Sequence, residues 1–76
     1  MVKAFVLVNV EASKHMEVLE KVKKIQGVHE AHLVTGLHDL ILYVSADDLK
    51  SLGSLIVNEI QKIKGVQRTV TCIAVD

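Results

Sequence analysis

The sequence predicts an α+β domain whose elements follow the order strand, helix, strand, strand, helix, strand. Two apolar segments rich in strand-forming residues, Ala4–Val10 and Asp39–Val44, are each followed by a segment whose apolar residues recur at helical spacing. In addition, the phrase KIQGV at 24–28 is nearly repeated as KIKGV at 62–66. The 76 residues are therefore organised as two similar halves, each a strand, a helix and a strand.

The first helix is predicted to begin at Ser13 and to end near Ile25, because an apolar stripe runs along this segment. Gly27 fits the position just after a helix end, where a left-handed backbone is favoured. Strand two then spans about 29–35, and Gly36 begins the turn that leads into strand three. The stripe contains Met16, Val18, Leu19, Val22 and Ile25.

The second helix is predicted to follow strand three, with Ser45 and Asp48 forming a capping box at its N-terminus. Gly53 lies inside this helix, where glycine costs up to about 1 kcal/mol relative to alanine, and we attribute it to close packing. The helix ends before Gly65, and the last strand spans about Arg68–Val75. The apolar stripe of the helix contains Leu49, Leu52, Ile56, Ile60 and Ile63.

This order of elements is that of the ferredoxin-like βαββαβ fold, which consists of two βαβ halves. We expect one four-stranded antiparallel sheet with both helices on one face. Right-handed crossovers place strands one and three side by side at the centre, where we expect them to run parallel. The repeated phrase marks the two points at which a helix ends and an outer strand begins.

The two central strands are apolar on both faces, which is typical of strands that are buried on both sides. The helices cover only one face of the sheet, and no further segment of the chain remains to cover the other. An exposed face of this kind would exceed the few hundred Å² of contiguous apolar surface that monomers tolerate. We therefore predict an obligate homodimer in which two sheets pack face to face, as in dimeric α/β barrels.

The composition argues against several classes of protein. The formal net charge is zero, whereas nucleic-acid-binding domains usually carry a surplus of lysine and arginine. No apolar run approaches the roughly 20 residues that cross a membrane, and no linker divides the chain, so we expect a single domain over residues 1–76. The only cysteine, Cys72, cannot form an intramolecular disulfide, which fits a cytoplasmic protein.

The sequence indicates neither a metal site nor an active site. The four histidines, at positions 15, 29, 32 and 38, match no metal-binding motif, and we expect no metal or other cofactor. Cys72 has no adjacent base that would activate it as a nucleophile. RNA-recognition modules share the βαββαβ order, but the central strands here lack the pattern of aromatic residues that stacks on bases. We therefore expect a binding domain rather than an enzyme.

The segment TGLHDL, Thr35–Leu40, is the strongest candidate for a binding site. A glycine turn leads into Asp39 at the start of a strand that is otherwise aliphatic. One interpretation is turn chemistry, in which the Asp39 carboxylate accepts hydrogen bonds from local backbone N–H groups. The other is that Asp39 binds the ammonium group of a small zwitterion, while free N–H groups near Gly36 bind its carboxylate. Both interpretations stay open from the sequence.

Several short motifs, in their order and spacing, resemble the effector-binding domain of the Lrp/AsnC family, also called the RAM domain. The motif T-G-x-x-D occupies 35–39, and Asp48-Leu49 begins the second helix. The motif I-x-x-I-x-G-V occupies 60–66, and Thr69 and Thr71 form a T-x-T motif in the last strand. The resemblance covers nearly the whole chain.

This resemblance implies an amino-acid-sensing regulatory domain. In the family, an amino-acid effector binds between neighbouring homodimers, and the dimers assemble into an octamer. Full-length members carry an N-terminal helix-turn-helix domain, and this chain resembles a stand-alone type that lacks it. The resemblance therefore implies no direct DNA binding, but co-assembly with a helix-turn-helix-bearing paralogue that modulates transcription.

The resemblance also implies which residues bind the effector. They are Thr35, Gly36, Leu37, His38, Asp39 and Leu40 in the turn, with Thr69 and Thr71 on the last strand. Ordinary strand propensity explains the two threonines equally well. Two alternatives remain: an ACT-like regulatory module, and a small dimeric α/β-barrel enzyme in which His38 and Asp39 would be the first residues to test.

Overall fold

The computed structural model describes residues 1–76 and contains one four-stranded sheet with its helices packed on one face. The elements follow the predicted order, and the α+β ferredoxin-like fold is confirmed. They are β1 (Val2–Val10), α1 (His15–Lys23), β2 (Val28–Leu33), β3 (Leu40–Ala46), α2 (Leu49–Ser54), which continues as a π-helix (Leu55–Ile60), and β4 (Val66–Ile73). None of these helices is long and apolar enough to cross a membrane.

The strands are ordered β2-β3-β1-β4, so β1 and β3 form the centre of the sheet as predicted. The expectation that these two strands run parallel is wrong, because β1 pairs with β3 in the antiparallel direction. The crossover through α1 makes β1 parallel to β2, not to its neighbour. Since a short turn joins β2 to β3 and reverses the chain, β3 must run opposite to β1. Every neighbouring pair in the sheet is antiparallel.

The core lies between the helices and one face of the sheet. All thirteen buried residues are apolar, and those of the central strands alternate along the chain, as expected for a strand with one face on a core. Two residues of the predicted helical stripes, Met16 and Leu49, are instead 58% and 61% exposed. Each lies in the first turn of its helix, before the residues that pack on the sheet. The core contains Ala4, Val6, Val8, Val10, Val18, Leu19, Val22, Leu40, Leu42, Val44, Leu52, Ile56 and Ile60.

Both helices begin later than the sequence predicts. Ser13 has a φ of 69° and lies outside α1, which starts at His15 without a side-chain cap. In α2 the N-cap is Asp48, whose Oδ1 accepts a hydrogen bond from the Ser51 N–H at 2.7 Å. The predicted capping box is therefore wrong in its first member, because Ser45 belongs to β3.

The second helical segment also changes its hydrogen-bonding pattern. After Ser54 it continues as a π-helix, and the N–H of Gln61 donates to the carbonyl of Ile56 at 2.8 Å. The attribution of Gly53 to close packing is wrong, because a Cβ atom built there meets nothing within 4 Å. Gly53 therefore lowers the helix propensity of α2 without a packing gain.

The two glycines of the repeated phrase lie where the sequence predicts. Gly27 and Gly65 have φ angles of 101° and 107°, and each is followed directly by an outer strand. Each carbonyl also accepts a hydrogen bond from the end of a central strand: Gly27 from the Ser45 N–H at 3.0 Å, and Gly65 from the Glu11 N–H at 2.7 Å. The repeat is therefore structural, since both copies join a helix end to the sheet.

The second face of the sheet is left uncovered by the chain, as predicted. Phe5 is 45% exposed on this face, and its ring contacts Tyr43 with a centroid distance of 5.3 Å. The strand register places the remaining apolar residues beside this pair, because cross-strand partners share a face. The uncovered face comprises Phe5, Leu7, Ile41, Tyr43, Val70 and Cys72.

Candidate functional site

The turn between β2 and β3 is held at both of its ends and leaves its middle free. The N–H of Val34 donates to the carbonyl of Asp39, and the N–H of Asp39 donates to the carbonyl of Val8, both at 2.9 Å. Gly36 allows the turn because its φ is 132°, where residues with a Cβ are strained. The four N–H groups of residues 35–38 donate no hydrogen bond within the chain. They are therefore free to donate to a ligand.

The Asp39 carboxylate fixes the turn against the rest of the domain. Its Oδ2 accepts a hydrogen bond from the Val10 N–H at 2.7 Å, and its Oδ1 lies 3.2 Å from Nε2 of His15. The hydrogen bond from the Val10 N–H is the main reason why the pKa of Asp39 lies below its ordinary value, and the contact with His15 lowers the pKa further. Asp39 does accept a backbone hydrogen bond, but from β1, 29 residues away, and not from its own turn. Its side chain stays 31% exposed.

Asn9 connects the turn to the central strand. Its Nδ2 donates to the carbonyl of Leu37 at 2.9 Å. Its Oδ1 lies 3.1 Å from Nδ1 of His38, and because an amide oxygen only accepts, His38 Nδ1 must be the donor. Neutral His38 therefore presents an unprotonated Nε2 that can accept a hydrogen bond. The Leu37 side chain, at the tip of the turn, is 90% exposed.

The other predicted site residues do not join this cluster within one chain. Leu40 is fully buried in the core. Thr69 and Thr71 lie on β4 opposite Val8 and Val6, so they face the helices. In addition, Thr69 accepts a hydrogen bond from the Gln61 side chain at 2.9 Å. Strand β1 therefore separates both threonines from the turn.

Two residues of the cluster, Asn9 and His15, were missed by sequence reasoning. One signal in the sequence could have identified Asn9, because it is a polar residue in an otherwise apolar central strand. His15 carried no comparable signal, because its contact with Asp39 depends on where α1 begins.

No residue of the turn at 35–39 lines any of the three cavities of the single chain. The largest, of about 360 Å³, is on the uncovered face beside Phe5 and Tyr43. A second, of about 280 Å³, lies beside Gly27 and Ser45, and a third, of about 310 Å³, lies beside Arg68. No group of three or more histidine, cysteine or acidic side chains converges in a way that could hold a metal ion. The turn is thus an exposed cluster of donors and charges, not a closed pocket.

The sequence of this chain matches a known domain family over almost its whole length. Residues 3–76 match the model of the Lrp/AsnC ligand binding domain. The chain belongs to the Lrp/AsnC family. The matching model is that of a ligand-binding domain, and the curated relatives that share it are named HTH-type transcriptional regulators.

Individual relatives agree with this assignment. The chain is 36% identical over 74 residues to the HTH-type transcriptional regulator PF0250 of Pyrococcus furiosus, covering 93% of this chain and 49% of that protein. It therefore spans about half the length of the curated relatives it matches. The crystal structure of FFRP-DM1 shares 43% identity with a TM-score of 0.94, covering 99% of this chain and all of the other. E. coli AsnC shares 26% identity with a TM-score of 0.94, covering 99% of this chain and 51% of that one.

Proposed function

We propose that this Lrp/AsnC domain senses an amino acid through the turn at Thr35–Asp39. The observation that carries the proposal is the run of four free N–H groups at 35–38, held in place by Asn9 and Asp39. Consecutive free N–H groups in a turn form a concave donor site that suits a carboxylate. The carboxylate of the effector accepts hydrogen bonds from these groups.

The ammonium group of the effector is bound on the other side of the turn. Nε2 of His38 is an acceptor when the histidine is neutral, because Asn9 fixes the proton on Nδ1. The partly exposed charge of Asp39 also favours a cation nearby. Asp39 has both oxygens engaged within the chain, so its main role is to hold the turn in the binding conformation.

Binding is coupled to assembly in this proposal. The uncovered apolar face packs against the same face of a second copy to form a homodimer. Dimers assemble further, into an octamer, through surfaces that include the turn, so one effector bridges two dimers. The effector shifts this assembly by its differential affinity for the assembled and dissociated states.

In this proposal, the chain regulates transcription through a partner protein that binds DNA. The curated relatives are named HTH-type transcriptional regulators, and the present chain matches about half of their length. A helix-turn-helix-bearing paralogue that co-assembles with this domain supplies the DNA contacts. The effector then changes DNA binding by changing the composition or size of the assembly.

A thermal-shift screen against the twenty amino acids tests effector binding. A ligand at a hundredfold excess over its dissociation constant stabilises the folded state by about 2.7 kcal/mol. We expect one or a few amino acids to raise the melting temperature of the wild-type chain, and His38→Ala to remove this response. His32→Ala is the matched control, because it also removes an imidazole, but one that lies on β2 and is paired with Glu30. An unchanged response in His38→Ala, or no response to any amino acid, contradicts the proposal.

Sedimentation velocity tests the sheet-to-sheet homodimer. We expect a dimer or a larger species at micromolar concentration, and dissociation in Phe5→Glu because a charge would be buried in an apolar interface. Val57→Glu is the matched control, since Val57 has similar exposure but lies on the helical side. A folded wild-type monomer at micromolar concentration would refute the dimer.

A further inference from the structure

Arg68 lies beside the turn cluster with no partner of its own. It is the only arginine in the chain. In the sheet it is the direct cross-strand partner of Asn9, so the two side chains lie on the same face. The three ion pairs of the chain, Lys14–Glu17, His15–Asp39 and His32–Glu30, do not include it. Its guanidinium therefore forms no ion pair within the chain, and Arg68 lies at the polar end of the sheet face that also carries Phe5 and Leu7.

The backbone next to Arg68 is irregular in a way that redirects side chains. The register between β1 and β4 shifts after Asn9: Asn9 pairs with Arg68, but Val10 pairs with Val66. Gln67 is consequently the extra residue of a β-bulge. Such bulges increase the local twist and change the direction of adjacent side chains, and they are enriched next to binding sites.

Asn9 links the position of Arg68 to the turn. Its side chain donates to the Leu37 carbonyl and accepts from His38, and Arg68 is its cross-strand partner on β4. A ligand that binds at the turn beside Asn9 therefore lies next to the strand position of Arg68.

We propose that Arg68 binds the side-chain carboxylate of the effector and makes the site selective for acidic amino acids. This inference rests on the proposed function, because the α-carboxylate and ammonium groups must already be bound at the turn. A second carboxylate near Asp39 would otherwise be repelled, and Arg68 supplies the compensating charge. Arginine also offers a planar pair of donors that matches a carboxylate, unlike lysine.

The test uses the single arginine as a spectroscopic reporter. In ¹⁵N-labelled protein the Arg68 side chain gives one Nε–H cross-peak, which we would follow during titration with L-glutamate, L-aspartate, L-glutamine and L-asparagine. We expect the two acids to move this peak and the two amides to leave it in place. In Arg68→Gln we expect the affinity for the preferred acid to fall about tenfold to a hundredfold, while the affinity for its amide stays within about twofold.

Lys50→Gln is the matched control, because it removes the same charge at the other end of the sheet. Lys50 lies in α2. This helix follows the C-terminal end of β3, which pairs with the start of β1, whereas the turn precedes the N-terminal end of β3. We expect this variant to keep the wild-type preference for the acid. A preserved amide spectrum in Arg68→Gln establishes that the fold is intact.

The outcomes separate this inference from the proposed function. If amides of the turn shift with an amino acid but the Arg68 peak does not, effector sensing stands and the role of Arg68 is wrong. If Arg68→Gln keeps the preference for acids, the role of Arg68 is wrong as well. If the peak responds only to protein concentration, Arg68 makes a subunit contact and the inference is overturned. If no amino acid moves the turn or Arg68, both proposals fail.

Discussion

The three glycines with positive φ differ in what surrounds them, and the difference separates structural turns from the candidate binding turn. A Cβ atom at Gly27 would lie 3.1 Å from the carbonyl oxygen of Ser45, and one at Gly65 would lie 3.0 Å from a methyl group of Val18. A Cβ atom at Gly36 would meet nothing within 4 Å. Gly27 and Gly65 are therefore required by packing as well as by backbone conformation, whereas Gly36 is required by conformation alone.

The two repeated turns and the candidate binding turn have the same local chemistry, a glycine with positive φ. All three turns need glycine because their φ angles lie in a region that disfavours side chains. The carbonyls of the two repeated turns accept hydrogen bonds from the ends of central strands, and a Cβ atom at either glycine would meet neighbouring atoms. The turn at Gly36 differs in having four consecutive N–H groups, at residues 35–38, that donate no hydrogen bond within the chain, and it is the turn that we propose binds a ligand.

The largest effect is expected for Gly65→Ala. The substitution combines a left-handed backbone, which costs about 1–2 kcal/mol, with overpacking against Val18 and Lys14, which costs about 1–3 kcal/mol. We expect a loss of about 2–5 kcal/mol in the free energy of unfolding, measured by urea titration, and a similar loss for Gly27→Ala. Near-wild-type stability in both variants would show that the two turns are not packed as described.

Gly36→Ala sharpens the comparison, since it should affect stability less and binding more. Only the cost of placing a residue with a Cβ atom at positive φ, about 1–2 kcal/mol, applies here, because there is open space around Gly36. We expect the variant to fold and to lose most of the melting-temperature increase caused by the effector. The measurement is a thermal shift with and without the amino acid identified in the screen. A Gly36→Ala variant that binds normally would mean that the turn conformation is irrelevant to binding.

Acid titration of Asp39 tests whether this carboxylate holds the turn. The Val10 N–H, and then His15, lower its pKa in the folded state. Its stabilising effect is therefore complete above the unfolded pKa of about 3.9 and is lost as the pH falls through the lower folded pKa. We expect Asp39→Asn to be less stable than wild type at pH 7 and to lose less stability between about pH 5 and pH 2, by urea titration.

Asp48→Asn is the control for the acid titration. The pKa of Asp48 is also lowered, because it accepts the Ser51 N–H at the start of α2. Both variants should therefore weaken the dependence of stability on acid, but only Asp39→Asn should reduce effector binding. An acid dependence in Asp39→Asn identical to that of wild type would be inconsistent with the observed contacts of Asp39.

The smallest effect, and one of opposite sign, is expected for Gly53→Ala. Gly53 lies in α2 with an ordinary φ and open space around it, so alanine adds helix propensity without a clash. We expect a gain of up to about 1 kcal/mol in the free energy of unfolding. Loss of stability would indicate that the transition from α-helix to π-helix after Ser54 depends on glycine.

The sequence predicted those features that depend on local patterns. The two helix ends at Gly27 and Gly65, the buried alternation in β1 and the uncovered face all follow from residue type and spacing. The direction of β3 relative to β1 was predicted wrongly, although the connections determine it, because the crossover keeps β2 parallel to β1 and the turn into β3 reverses the chain. The π-helix was missed because its apolar spacing differs little from that of an α-helix.

The candidate site was predictable only in part. The turn itself was identified from T-G-x-x-D, but the contacts of Asn9 with His38 and of Asp39 with Val10 join residues 29 positions apart. Such contacts depend on the exact alignment of β1 with β3, which the apolar pattern of either strand does not specify. For the same reason the sequence did not show that β1 separates Thr69 from the turn.

The central claim is that the turn at Thr35–Asp39 binds the effector and the two repeated turns do not. Amide chemical-shift mapping of the wild-type chain, titrated with the amino acid identified by thermal shift, tests this most directly. We predict that the largest changes fall on Thr35–Asp39 and Asn9, with little change at Gly27 and Gly65. Changes concentrated around the cavity beside Gly27 and Ser45, with an unmoved turn, would contradict the account.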